Sequence, residues 1–276
     1  MNRPGAPFEV AEPGFREVLR RIPDQPGPSP PPDWLRWEMV ERDEVLRQGP
    51  SLEGLRVVEI GSGPHAIATV PLAFRVGPSG RVLALERSRW GRFRSVTEAS
   101  GLEDRVDPVG GDVRRLPLRA DSADLAVCLH AVRSLGSDAS LVRVLREMLR
   151  VAPRLLLAES LPIARTPAQR AHLAMYALRE EVLSGPEGAP EDRHYLPLDR
   201  ILALVEEAGG RPERAEVLEV DLPHFLARFP RSLAEQIPDP TIRDSLLLRW
   251  DQADVLCQRD GEDHPPVGIV TASRPY

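Results

Sequence analysis

Glu59-Ile60-Gly61-Ser62-Gly63-Pro64-His65-Ala66 sets an acid, two glycines and a proline at the end of a short apolar run that starts at Arg56. A strand that ends in such a turn and opens onto an apolar helix is the start of a nucleotide-binding α/β unit. Gly61, Gly63 and Ala66 satisfy the dinucleotide spacing G-x-G-x-x-G/A, so spacing alone leaves the ligand open. A pyrophosphate needs free backbone N–H groups and no adjacent anion. Here Glu59 stands just before the turn and Pro64 removes an N–H, features that suit a ligand bearing an ammonium and a sulfonium instead. Further polar residues follow apolar runs: Glu86, Asp112 after Gly110-Gly111, and His130. His194-Tyr195 precedes a helical segment, and Cys128 lies inside an apolar run, where core packing is expected.

The elements that must position these groups read as alternating strands and helices. Strands are expected at Arg56–Ile60, Arg81–Leu85 (ending in Glu86), Val106–Val109, Leu125–Leu129 and Arg154–Ala158. Helices are expected between them, at about Ala66–Val76, Trp90–Ser100 and Ser140–Val151. The run Leu125–Leu129 is apolar throughout, as for a strand covered on both faces. Four or five βα units in series call for a mostly parallel sheet with right-handed crossovers. Beyond Ala158 the pattern changes to a long helix (Thr166–Leu183), a helix at Leu198–Ala208, strand six at Ala215–Leu222 and strand seven at Val267–Ala272. An insertion with its own helix, Thr241–Leu256, separates the last two strands. Ahead of the first strand lie a weakly amphipathic piece (Phe15–Ile22), six prolines between Pro23 and Pro32, and a helix over Trp34–Gln48. Asp33 is the expected N-cap of that helix. Its apolar residues form no clean stripe, and it is expected to cover part of the domain mouth. Residues 1–50 therefore read as an extension and 51–276 as the main domain, with lid segments at about 161–197 and 224–266.

Composition narrows the function. The chain has 276 residues and a formal net charge of −6, enough for one sizeable core. All 36 cationic side chains are arginine. Without lysine there is no Walker-A phosphate loop, kinase strand lysine or pyridoxal-phosphate Schiff base. The acidic balance makes nucleic acid an unlikely partner. Two cysteines support neither a disulfide framework nor a Cys-rich metal site, and no spacing of metal ligands stands out. No run of about 18 apolar residues is present, so no membrane span is expected. Met1–Val10 lacks a basic and an apolar leader region, so a cytoplasmic location is expected.

Taken in order, these motifs resemble the class I S-adenosylmethionine-dependent methyltransferases, from about Leu52 to Ser160 and more loosely beyond. The helix and strand Leu145–Arg150 and Leu155–Glu159 resemble the ubiquinone/menaquinone-biosynthesis type most. The resemblance implies a Rossmann-like seven-stranded, mostly parallel sheet and S-adenosyl-L-methionine as cofactor. It implies that Glu59, Gly61, Ser62 and Gly63 hold the methionine end, and that Glu86, followed by Arg87, binds the ribose hydroxyls. Asp112, followed by Val113, would accept from the adenine amino group, and Leu129 would end the strand at the floor of the methyl-transfer site. His65 stands where the family has a third glycine, and Ala152-Pro153-Arg154 replaces a Pro-Gly-Gly turn.

The expected chemistry is in-line methyl transfer to a small-molecule acceptor. His130 is the first candidate for a general base, with His194 and Tyr195 next. The absence of a [Asn/Asp]-Pro-Pro-aromatic tetrapeptide after the fourth strand, where Cys128-Leu129-His130-Ala131 stands, argues against methylation of planar exocyclic amines. The alternatives are a protein methyltransferase and a non-catalytic S-adenosylmethionine-binding protein; a nicotinamide dehydrogenase is disfavoured by Glu59 and Pro64. A homodimer is compatible with the sequence. Glu180-Glu181 reads as a solvated helix face, and Trp90 as a packing residue near the adenine.

Overall fold

The computed structural model describes residues 6–24, 32–87, 90–132, 135, 137–184, 195–225 and 229–275. In chain order the elements are α1 (Pro7–Val10), α2 (Pro13–Arg21), α3 (Trp34–Gln48), β1 (Arg56–Ile60), α4 (Thr69–Val76), β2 (Arg81–Glu86), α5 (Trp90–Ser100) and β3 (Val106–Gly110). They continue with β4 (Leu125–Leu129), α6 (Asp138–Val151), β5 (Arg154–Ser160), α7 (Pro167–Ser184), α8 (Leu198–Glu207), β6 (Arg211–Leu218), α9 (Ser232–Glu235), α10 (Pro240–Asp260) and β7 (Val267–Ser273). The proline-rich stretch at 25–31 and His194 lie outside the described residues.

The seven strands form one sheet in the order β3-β2-β1-β4-β5-β7-β6. β1 to β5 are parallel and β7 runs antiparallel to both β5 and β6. The strand order reverses at β1 and β4, so a crevice opens beyond their carboxyl ends, where ligands of open α/β sheets bind. The central strands are buried on both faces. Val57, Val82 and Val127 face one hydrophobic cluster and Val58, Leu83 and Ala126 the other.

The N-terminal helices join this core. Phe15, Leu19 and Ile22 from the α2 region and Leu35, Met39 and Val45 of α3 share a cluster with the sheet. A third cluster joins α7, α9 and α10 with Tyr195 and Phe229, so the segments after β5 and between β6 and β7 pack on each other.

Four local expectations are corrected. The helix expected from Ala66 begins at Thr69, because Ala66 adopts φ 51°, outside the right-handed helical region. Strand six begins at Arg211, not Ala215, and ends at Leu218: as an edge strand paired only with β7 it tolerates Pro212 at an irregularity and exposes much of its length. Asp33 occupies the N-cap position of α3, but its side chain makes no capping bond. Glu180 is buried and pairs with Arg179, so only Glu181, which reaches Arg249, sits near solvent.

Candidate functional site

The carboxyl ends of β1, β2, β3, β4 and β5 bring Glu59, Glu86, Gly110-Gly111-Asp112, His130 and Ser160 to one edge of the sheet. Gly61 and Gly63 both have positive φ, 78° and 66°. A Cβ on Gly61 would lie 2.8 Å from the Ala131 Cβ, whereas one on Gly63 would meet nothing within 4 Å. The first glycine is required by close packing and the second fronts open space. Gly61→Ala is expected to cost about 2–4 kcal/mol, from left-handed strain plus overpacking, and Gly63→Ala about 1–2 kcal/mol. Urea denaturation of the two variants checks the difference.

Glu86 closes this turn from the neighbouring strand. Its Oε2 accepts from the Gly63 N–H at 3.1 Å and its Oε1 from the Arg87 N–H at 2.8 Å. Ser62 does not face the crevice: its hydroxyl turns inward and donates to the Leu85 carbonyl. Glu59 is buried, with Oε2 accepting from Thr69 at 2.7 Å and Oε1 making no hydrogen bond. Burial, with Glu86 nearby, pushes the Glu59 carboxyl up to about 8. An unpaired buried acceptor beneath a glycine cradle fits a ligand that brings a cation to this turn.

Asp112 follows β3 as expected, but its carboxylate is held by Arg114 through the backbone N–H and a forked guanidinium, with Nη2 at 2.8 Å. These bonds hold the Asp112 carboxyl down at about 2. Arg87 stands 3.8 Å from the same carboxylate. Val113 packs partly buried against the second core cluster, and Leu129 ends β4. His65 packs edge-on against Trp34, 5.2 Å between ring centres, and burial and Arg92 push it down to about 4. Besides Gly61 and Gly63, the left-handed residue of this turn is Ala66 and not His65. Trp90 packs edge-on to Phe93.

His130 sits one residue past β4 with φ 52°, and both its ring nitrogens are engaged. Nδ1 is 3.1 Å from Ser160 Oγ and Nε2 is 3.0 Å from Glu41 Oε1. Around it is a buried polar cluster in which α3 supplies Glu38, Glu41 and Arg42, and the chain between β6 and β7 supplies His224 and His264. Arg42 reaches both acids, Glu38 at 3.2 Å and Glu41 more closely. His224 Nδ1 is 2.8 Å from Glu38 Oε1. Burial drives Glu38 up, towards its neutral form; at Glu41 burial has the same tendency, but Arg42, His130 and His264 outweigh it and hold the carboxyl well below the usual range. Burial also pushes His224 well down and His264 to about 4. A series of buried rings in tilted contact continues from it: His264 and His224 at 4.2 Å, His224 and His172 at 4.6 Å, and His172 Nε2 within 3.2 Å of the Tyr195 hydroxyl. Tyr195 itself stacks on Tyr176 at 4.1 Å.

Glu38, Glu41, Arg42, His224 and His264 were not expected from the sequence as site residues. The only trace was negative: α3 lacks an apolar stripe because its inward face is itself partly charged. No ligand spacing could show the convergence of residues 41, 130 and 264, which come from three distant segments.

This sheet order, with an antiparallel β7 beside β5 and a glycine turn at the β1–β4 switch point, defines the class I S-adenosylmethionine-dependent methyltransferase fold. Residues 58–154 match the family model described as a methyltransferase domain. Among solved structures, a cyclopropane-fatty-acyl-phospholipid synthase-like protein from Lactobacillus casei is similar over 93% of this chain and 97% of its own, at 15% identity and a TM-score of 0.72. A SAM-dependent methyltransferase from Aquifex aeolicus is similar over 74% of this chain and 91% of its own, at 21% identity and a TM-score of 0.50. The cyclase SpnF is similar over 99% of this chain and 98% of its own, at 17% identity and a TM-score of 0.56. No curated protein matches the sequence significantly. Among the described residues, no helix is long and apolar enough to cross a membrane.

Proposed function

We propose that the chain is an S-adenosylmethionine-dependent methyltransferase that methylates a small-molecule acceptor by in-line displacement. The observation that carries this reading is the Glu86 carboxylate held against the Gly63 N–H at the β1–β2 edge of the crevice, inside the matched domain. Glu59, Gly61 and Gly63 would receive the methionine end, with Ser62 holding the turn through Leu85. Glu86 and Arg87 would take the ribose. Asp112 would accept from the adenine amino group while sharing its carboxylate with Arg114, with Val113 and Leu129 lining the base and the floor. S-adenosylmethionine supplies a methyl group already activated on a sulfonium.

What remains for the protein is mainly alignment, which contributes about 7–11 kcal/mol when reactants are held in attack geometry. A general base adds on the order of a hundred- to ten-thousand-fold, the smaller share. Since Ser160 and Glu41 engage both ring nitrogens of His130, its part is to hold the carboxyl end of β4 in shape. Tyr195, fixed by Tyr176 and His172, would serve as an acceptor contact, and His194, its neighbour in sequence, would be a second. A small acceptor would enter the crevice beyond the carboxyl ends of β1 and β4, with the segments after β5 and between β6 and β7 excluding water on closure.

A cyclase has the same fold, so the fold by itself does not carry the chemistry. Calorimetry with S-adenosylhomocysteine and with NADH separates the cofactors: S-adenosylhomocysteine is expected to bind one to one and NADH not to bind. Glu59 adds a signature. With its carboxyl at about 8, it is protonated at pH 7, and an arriving ammonium favours its ionised form, so binding releases a proton below pH 8. Titrations in buffers of different ionisation enthalpy read that release, and Glu59→Gln removes it. By the same linkage the ligand-free protein binds more protons at Glu59 than the unfolded chain does between about pH 4.5 and 8. This group's contribution to stability therefore declines as pH rises through that window. Tight NADH binding without S-adenosylhomocysteine binding would overturn the reading.

A further inference from the structure

We propose that Glu41, His130 and His264 form a binding site for one first-row transition-metal dication of the zinc or ferrous kind. The site is independent of the methyl-transfer reading and is tested by metal uptake alone.

Three buried side chains turn one donor atom each toward a common point, all within 4.8 Å of one another. Glu41 Oε1 lies 3.0 Å from His130 Nε2 and 3.6 Å from His264 Nε2. Donors about 2.0–2.2 Å from a shared ion lie roughly 2.8–3.1 Å apart in octahedral and roughly 3.3–3.6 Å apart in tetrahedral geometry, so the 3.0 Å edge matches the first and the 3.6 Å edge the upper end of the second. The third edge closes with a ring shift on the order of 1 Å.

The remaining atoms of the same side chains are tied down behind the site. His264 Nδ1 lies 2.7 Å from the Pro265 carbonyl, an acceptor only, so this nitrogen carries the ring proton and Nε2 presents a lone pair. That lone pair is buried, makes no hydrogen bond and faces another acceptor, the Glu41 oxygen. Two buried acceptors opposed at 3.6 Å are stabilised by a cation between them. His130 Nδ1 has Ser160 Oγ at 3.1 Å and Glu159 Oε1 at 3.6 Å behind it. A proton on Nδ1 would donate there and leave Nε2 free to ligate, the carboxylate–histidine–metal arrangement. Arg42 holds the second oxygen of Glu41. Metal binding requires the His130 proton to be on Nδ1, facing Ser160 and Glu159, and Nε2 to turn from Glu41 to the ion.

Two imidazoles and one carboxylate suit zinc or ferrous iron; magnesium and calcium prefer all-oxygen sets. Three protein ligands also leave coordination positions open.

The full-length protein, stripped with chelator and dialysed, is titrated with Zn²⁺, with Co²⁺ as a visible-absorption probe and with Mg²⁺. One equivalent of Zn²⁺ is expected to bind, Co²⁺ to give a d–d band that Zn²⁺ abolishes, and Mg²⁺ to give no comparable uptake. X-ray absorption of the zinc form is expected to show two imidazole nitrogens at about 2.0–2.1 Å and a carboxylate oxygen at about 2.0–2.2 Å. His264→Gln is expected to weaken Zn²⁺ at least tenfold and remove one imidazole from the spectrum, whereas His172→Gln keeps both. No saturable Zn²⁺ uptake by the unaltered protein overturns the proposal and leaves the 3.6 Å gap to a water bonded to both acceptors. Uptake without two imidazoles, or unchanged in folded His264→Gln, overturns it as well. If that variant fails to fold, the absorption spectrum of the unaltered protein decides.

Discussion

Arg42→Met is expected to destabilise the protein by about 3–5 kcal/mol, the cost of breaking a buried ionic group by removing one partner. Arg42 is only 3% exposed and reaches both Glu38 and Glu41, each 1% exposed. Glu38 can follow its burial and stay neutral, sharing one proton with His224 across 2.8 Å. Glu41 cannot escape so easily, because Arg42 is the main influence holding its carboxyl ionised against burial. Removing the guanidinium leaves that carboxylate opposite the lone pair of His264. Adding Glu41→Gln to Arg42→Met should recover much of the loss, since an amide keeps a bond to His130 without a buried charge. Urea denaturation in chelator measures both. A loss below about 1 kcal/mol for Arg42→Met would mean that water reaches this cluster and screens it.

The cluster also marks the boundary of what the sequence discloses. The βα succession was legible because each central strand is a continuous apolar run and each turn carries glycine or an acid at the carboxyl end, as at Glu59–Gly63 and Glu86. Those signals are local, and they call for a mostly parallel sheet with right-handed crossovers without fixing the strand order. α3 is different. Its residues Glu38, Glu41 and Arg42 look like one side of a solvated helix, and only the histidines that arrive from the β6–β7 connection, nearly two hundred residues later, make that side an interior. Periodicity assumes that an inward face is apolar, and here the covering surface is polar. β6 was misplaced for a related reason: as an edge strand it is chosen by pairing with β7, not by its own hydrophobicity. The start of α4 depended on the left-handed backbone at Ala66, which no residue type there announces.

Glu86→Ala is expected to weaken S-adenosylhomocysteine binding on the order of 10- to 100-fold while leaving the fold intact. A hydrogen bond to a charged group contributes about 1.5–3 kcal/mol, and tenfold in affinity corresponds to about 1.4 kcal/mol. An ionised carboxylate offers about four acceptor positions, so Glu86 can keep the Gly63 and Arg87 N–H bonds while receiving a vicinal diol. The two roles separate in a pair of variants. Glu86→Gln retains one acceptor oxygen and is expected to fall between the parent and Glu86→Ala in affinity. Asp112→Asn is expected to be milder than Glu86→Ala, because Arg114 already engages that carboxylate and an exposed adenine contact exchanges readily with water. Calorimetry orders the variants, and thermal unfolding without ligand checks that each is folded. If Glu86→Ala binds as tightly as the parent, the ribose lies elsewhere and the β2 end only braces the glycine turn. If Asp112→Asn proves the more damaging, the adenine displaces Arg114 on binding, and the fork seen in the ligand-free chain is a latch that the cofactor opens.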